Sequence, residues 1–349
     1  EREEPMDNAA SIIKDAVIDV VKKQVEARVD IVSDGEMSKI SYATYIKDRI
    51  TGFDGDSPRS APRDLEDFPK FLERQSSGGG TPTYRRPCCV GPIEVKSMQP
   101  LQEDLDNFSA ALDGKNVQDG FMNAASPGVI ALFQPNHHYK TQEEYLEALA
   151  EGMRAEYEAI VEAGYILQLD SPDLGLGKHM MFKDEPENYE KLAMQHVEAL
   201  NHALRNVPVE KVRMHICWGN YEGPHCCDIA MDTVFPMLMS TKAQYVLFET
   251  SNPRHAHEWT VFRDRKSEIP EDKILVPGVV DTTTNFIEHP EVVAQRVERF
   301  AGIVGADRVI AGSDCGFGTF AGYGSVDPEI AYAKLAALAE GTELASGRL

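Results

Sequence analysis

The sequence predicts an α/β chain built as a (β/α)8 barrel of the TIM type, with its first strand lying before Glu1. Three observations carry that expectation. Short apolar runs alternate with long amphipathic stretches. The strand–helix unit recurs roughly every 30 to 50 residues, a spacing that suits parallel strands joined by crossover helices. And one apolar run after another closes on a polar or charged residue.

Taken in order, Val29-Asp30-Ile31-Val32 reads as the first strand and ends at Asp34-Gly35-Glu36. Ala124 to Phe133 reads as the second. Tyr165 to Leu169 is the third, ending at Asp170, and Val212 to Cys217 is the fourth. Tyr245 to Phe248 ends at Glu249, Ile274 to Val276 runs into Pro277-Gly278-Val279, and Arg308 to Ala311 ends near Cys315. The runs show little alternation, as expected of strands covered on both faces. Ile12 to Ala27, Glu143 to Ala163, Tyr189 to Arg205 and Pro290 to Val304 place apolar residues three and four apart and read as helices. Seven such strands favour a barrel over an open sheet. Residues 1–349 are expected to form a single barrel domain with a surface excursion at 54–95. Asp54 to Pro87 is rich in Pro, Ser, Gly and charge around Ser76-Ser77-Gly78-Gly79-Gly80, and reads as a mobile loop. Arg85 to Val95 reads as an extra strand or hairpin outside the barrel.

Composition narrows the function classes. With 35 Lys and Arg against 57 Asp and Glu the net charge is −22, which argues against a nucleic-acid partner. No apolar run is long enough to span a membrane. The acidic start Glu1-Arg2-Glu3-Glu4-Pro5 does not read as a signal peptide. Six cysteines in 349 residues are too few for a secreted disulfide scaffold, and a reducing cytoplasm is the expected location.

The strand ends carry the chemistry. In a barrel the carboxyl ends of the strands share one rim, so Glu36, Asp170, His215, Cys217, Glu249 and Cys315 are expected to converge. Alternate strand residues face the same way, which sets His215 and Cys217 on one side and turns Ile216 away. One imidazole, two thiolates and one carboxylate, from His215, Cys217, Glu249 and Cys315, make a suitable shell for Zn²⁺. Singly these residues say little, since a buried cysteine is usually a small core residue. Their joint placement gives the signal. His137-His138 and the His255/His257 pair lie in polar stretches and read as solvated. Cys226-Cys227 reads as buried in a following helix, and Trp218 as packing. Gly175-Leu176-Gly177-Lys178 lacks the spacing and the Ser/Thr of a phosphate loop.

From about Val29 to Gly318 the chain resembles the catalytic domain of cobalamin-independent methionine synthase. His215-Ile216-Cys217 is similar to the family's His-x-Cys pair, Phe248-Glu249-Thr250 to its Glu ligand, and Ser313-Asp314-Cys315-Gly316 to its Asp-Cys-Gly signature. Asp34-Gly35-Glu36 and Leu169-Asp170-Ser171-Pro172 resemble two further strand ends. The resemblance implies that Glu36 and Asp170 hold the amino group of homocysteine. Ser126-Pro127-Gly128-Val129 resembles the family's Gly-Pro-Val segment. Three features depart from the pattern. The second, N-terminal barrel half of the long enzymes is not in this sequence. The family's Ile-Gly-Ser strand would precede Glu1. And Phe133 follows Gly128 where methionine synthases place a Trp against the folate ring.

The resemblance implies a zinc-dependent thiol S-methyltransferase like 5-methyltetrahydropteroyltriglutamate–homocysteine S-methyltransferase. Its partners would be a small thiol, homocysteine first, and a methyl or alkyl donor that is a folate, a corrinoid or an epoxide. Thiol alkylation of the epoxyalkane:coenzyme M transferase type and a non-catalytic zinc-binding barrel stay open as alternatives. Zinc would deprotonate the substrate thiol, leaving the cysteines as ligands only. Four protein ligands close a tetrahedral site, so one must yield on thiol binding, and Glu249 is the expected one. Two carboxylates suit an ammonium and repel a sulfonate. The competing reading pairs one of them with a local base, Arg49 or Lys39.

Overall fold

Among the described residues seven parallel strands follow one another in chain order across a single curled sheet. They are β1 (Ile31–Ser33), β2 (Asp119–Ala125), β3 (Ile166–Asp170), β4 (Val212–His215), β5 (Tyr245–Phe248), β6 (Ile274–Val280) and β7 (Gly312–Ser313). The computed structural model describes residues 8–57, 62–77, 86–182, 186–320 and 324–349. The main helices are α1 (Ala9–Glu26), α2 (Gln99–Leu112), α3 (Pro127–Phe133), α4 (Gln142–Glu162), α5 (Tyr189–Ala203), α6 (Met231–Ser240), α7 (Trp259–Asp264), α8 (Pro290–Val304) and α9 (Pro328–Ser346). The architecture is the TIM-type barrel, in which the described residues supply no strand between β1 and β7. Beside that seam α1 meets α9. Arg28, just past α1, pairs with Glu343 at 3.0 Å, and Lys23 lies 5.4 Å over the Tyr332 ring.

The local causes are readable. All five residues of β3 are buried, as a strand covered by helices on one face and by the barrel interior on the other must be. α4 starts where the Thr141 hydroxyl accepts the Glu144 N–H at 3.1 Å, a helix cap. It then buries Tyr145, Leu149, Met153, Tyr157 and Ile160 along one face, and the chain turns away at Gly164 with φ +99°. Among the described residues no helix is long and apolar enough to cross a membrane.

Two expected strands need correction. Ala124 to Phe133 is not one strand: β2 ends at Ala125 and α3 begins at Pro127. Ser126 caps α3 through its hydroxyl, 3.1 Å from the Val129 N–H, and Pro127 fits the first helical position. Every residue of α3 is buried, so its composition is that of a buried strand and periodicity cannot separate the two. The last strand is Gly312–Ser313, just after the expected Arg308 to Ala311, from which only Val309 bridges to Leu275. In the excursion, Phe53–Asp54 pairs antiparallel with Cys88–Cys89, and helices Arg63–Glu66 and Pro69–Ser77 lie between them. The glycine run from Gly78 lies outside the described residues.

Beneath the rim, the Arg49 guanidinium is buried against Asp104 at 2.5 Å and Glu156 at 2.7 Å. Tyr45 donates to Glu156 at 2.6 Å and accepts the Ala125 N–H at 3.1 Å, which fixes the end of β2.

Candidate metal centre

The register aligns three strand ends. Ala125 pairs with Asp170 and Asp170 with His215, so these residues stand at one level of the rim. Beyond β4 the chain continues through Ile216, buried in the core, to Cys217. The Cys217 carbonyl accepts the Leu176 N–H at 3.0 Å. Gly175 permits that approach, since a Cβ there would lie 2.4 Å from the same oxygen. Cys315 follows β7. The ligating atoms of His215, Cys217 and Cys315 all lie within 4.8 Å of one another, and the two sulfurs are 3.8 Å apart. Two thiolates on one tetrahedral zinc, each about 2.3 Å from the ion, would stand about 3.8 Å apart.

His215 is buried and points Nδ1 at Asp170 (3.3 Å), leaving Nε2 near the Asp314 carbonyl (3.1 Å). A carboxylate behind the distal nitrogen is the usual support of a metal-binding histidine. Burial alone would depress its pKa. The Asp170 bond and the charges of Cys217 and Glu249 outweigh burial and push it up to about 9. The Cys217 thiol is raised well above its ordinary value, first by its bond to Cys315 and then by burial.

Glu249 is buried beside this group but is not one of the three converging residues. Its Oε1 accepts the Trp218 N–H at 2.8 Å and its Oε2 accepts the Asn252 amide at 2.7 Å. Asp314 ties this loop to Cys315. Its Oδ1 accepts the N–H groups of Thr250 and Ser251, and its Oδ2 that of Asn252, each at 2.9 Å. A Cβ on Gly278 would lie 2.1 Å from Asp314 Oδ1 and 2.6 Å from its Cα, so this packing requires glycine at 278. Burial first, then the Glu249 charge, raises the Asp314 carboxyl to about 7. Asn220 links the two cysteine loops, donating to the Gly316 carbonyl at 2.6 Å and the Thr319 hydroxyl at 2.9 Å.

Glu36 and Asp170 also come together, through a residue the sequence did not single out. Asn123 Nδ2 donates to Asp170 Oδ2 at 3.1 Å and to Glu36 Oε2 at 3.4 Å. Glu36 sits at φ +53° after Gly35 at +67°, its N–H held by Asp34 at 3.1 Å. Lys39 pairs with Glu36 Oε1 at 3.0 Å, the ion pair that the competing reading named, while Glu36 Oε2 faces Asn123. Arg49 is committed instead to Asp104 and Glu156. Burial raises the Glu36 pKa and Lys39 opposes the rise.

Residues 83–336 match the family model described as the catalytic domain of cobalamin-independent synthase. The chain belongs to the cobalamin-independent methionine synthase family. It is 26% identical over 335 residues to a methionine synthase of Saccharolobus solfataricus, covering 95% of this chain and 83% of that protein. It is 25% identical over 334 residues to one of Sulfurisphaera tokodaii, covering 95% and 81%. The solved structure of a B12-independent methionine synthase from a Shewanella species, in complex with selenomethionine, superposes with a TM-score of 0.73 at 20% identity, covering 99% of this chain and 91% of that one.

Around this family core several side chains differ from expectation. His255 is not solvated: it is buried between Glu258 (2.7 Å) and Asp228 (2.9 Å), while His257, His137 and His138 are exposed. Asp228 also takes His225 at 2.9 Å, and Asp64 accepts Tyr221 at 2.8 Å, which joins the excursion to the loop after Cys217. Cys226 and Cys227 are not in a helix. Cys226 is exposed, Cys227 half-buried, and α6 starts only at Met231. Trp218 packs as expected, fully buried, with its ring N–H on the Ile229 carbonyl at 2.7 Å. Phe133 is buried edge-on to Tyr42 with Arg86 over its ring.

Proposed function

We propose that this chain is a zinc-dependent thiol S-methyltransferase whose acceptor is homocysteine. The observation that carries the proposal is the convergence of His215, Cys217 and Cys315, with sulfurs 3.8 Å apart, on the rim of a barrel of the methionine synthase family. Two cysteines and a histidine are a donor set that suits zinc. Those three residues would hold the ion. Glu249, whose oxygens are already engaged by Trp218 and Asn252, would be the fourth and exchangeable ligand.

Bound there, zinc would lower the pKa of the incoming thiol, so that its sulfur is a thiolate at neutral pH. The protein's part is placement. Asp170 orients the His215 ring through Nδ1, and Asp314 fixes the Cys315 loop against the Glu249 loop. Glu36 and Asp170 take the ammonium of the amino-acid thiol, since two carboxylates favour a cation and repel a sulfonate. The substrate sulfur attacks the methyl carbon, and the S–C bond forms as that carbon leaves the donor.

The test is a screen of methyl-folates, methylcobalamin and small epoxides, each with homocysteine and with coenzyme M, read by mass spectrometry of the thioether. Methionine from a methyl donor, abolished by chelation and restored by zinc, is the expected result. An alkylated coenzyme M from an epoxide, or activity indifferent to chelation, would overturn the reading.

A further inference from the structure

Two carboxylates placed side by side repel one another, and a donor set between them holds them together. Glu36 and Asp170 are bridged in this way. The amide nitrogen of Asn123, a donor with no acceptor capacity, bonds both at 3.4 and 3.1 Å. The Asn123 main chain is itself fixed, because Lys39 Nζ donates to its carbonyl at 2.6 Å while pairing with Glu36 at 3.0 Å. The Lys39 side chain is 3% exposed and lies 4.4 Å over the Tyr45 ring, so its charge is committed to this corner. Lys39 is the cation paired with Glu36, while Asp170 Oδ1 faces His215 Nδ1 at 3.3 Å. The device recurs across the site, where the Asn252 amide bridges Glu249 at 2.7 Å and Asp314 at 3.2 Å.

We propose that Asn123 is the positioning residue that sets acceptor specificity, by holding Glu36 and Asp170 as a pair ready for one monocationic group, and that it thereby selects thiols bearing an ammonium. This rests on the reading of Glu36 and Asp170 as the ammonium site. Asn123 acts through the carboxylates: its amide fixes the gap between them, and Lys39 fixes the strand that carries it.

The experiment compares homocysteine with 4-mercaptobutyrate, which is homocysteine without the ammonium. Dissociation constants are measured by calorimetry on zinc-loaded wild type, Asn123→Ala, Asn123→Ser and Asn123→Gln. Wild type is expected to bind homocysteine about tenfold or more tightly than the des-amino thiol, the scale of a hydrogen-bonded charge. Asn123→Ala and Asn123→Ser are expected to lose about tenfold for homocysteine and less than about twofold for 4-mercaptobutyrate, with zinc content unchanged, and Asn123→Gln to recover part of the loss. A merely structural role would weaken both thiols together. A preference retained in Asn123→Ala and Asn123→Ser overturns the assignment of Asn123 while leaving the ammonium site standing. Equal binding of the two thiols by wild type overturns the ammonium site and this inference with it.

Discussion

Removing the Asp314 carboxylate should be the most damaging single change that touches no proposed ligand. Asp314→Ala takes away the acceptor for three consecutive backbone N–H groups and for the Asn252 amide, in a residue 2% exposed. Each buried donor left without a partner costs about 1–3 kcal/mol. Water entering the vacated space would recover part of that. So would release of a buried carboxyl that its surroundings already push up to about 7. A net loss of roughly 3–5 kcal/mol follows. The damage should be local as well as global, because those N–H groups position the loop that carries Glu249 and Asp314 precedes Cys315. Urea unfolding of the zinc-loaded variant, with a competitive chelator titration, reads both effects. Expected are a lowered midpoint with unchanged slope and a zinc affinity reduced by about tenfold or more. A loss under about 1 kcal/mol with wild-type zinc affinity would mean that the Asp314 cradle holds nothing in place.

Three further outcomes follow from named contacts. Gly175→Ala should weaken zinc binding while leaving the thiol preference alone, because its Cβ would push on the Cys217 carbonyl from 2.4 Å; unchanged chelator competition would count against this. Arg49→Met strands Asp104 and Glu156 as buried unpaired carboxylates and should cost about 3–5 kcal/mol, read by thermal or urea unfolding; a neutral effect would show the pair to be dispensable. His255 carries a pH dependence. Burial works against its charge, but Asp228 and Glu258 prevail and raise its pKa from 6.5 to about 10. A raised folded-state pKa gives stability that is full below about 6.5 and is lost as pH climbs through about 10, on the order of a few kcal/mol. Urea midpoints across that window should fall for wild type and stay flatter for His255→Gln; parallel profiles would sink the idea.

How much of this was legible depended on where the signal lay along the chain. His215, Cys217 and Cys315 lie at or just beyond the ends of apolar runs, and the barrel brings such ends together, so their convergence is legible in the sequence, whereas Glu249, also at a strand end, stands beside the group and not in it. α3 was misread because burial on all sides erases the helical period. α2, α6 and α9 went unread: α6 carries Pro236 inside it, and α9 is so rich in alanine that its two faces barely differ. Asn123 escapes the sequence because the expected strand starts after it, at Ala124, and one polar residue carries no signal until its partners, from β3 and the turn after β1, are placed beside it. His255 shows the same limit. Glu258 is one helical turn away, but Asp228 approaches from another loop.

His215, Cys217 and Cys315 are proposed to form an open zinc centre that accepts a substrate thiol. X-ray absorption at the zinc edge tests it most directly, on the zinc-loaded protein before and after homocysteine. Two sulfur ligands should rise to three, with loss of an oxygen ligand. A shell that stays the same when the thiol is added, or one without two sulfurs to begin with, would contradict it.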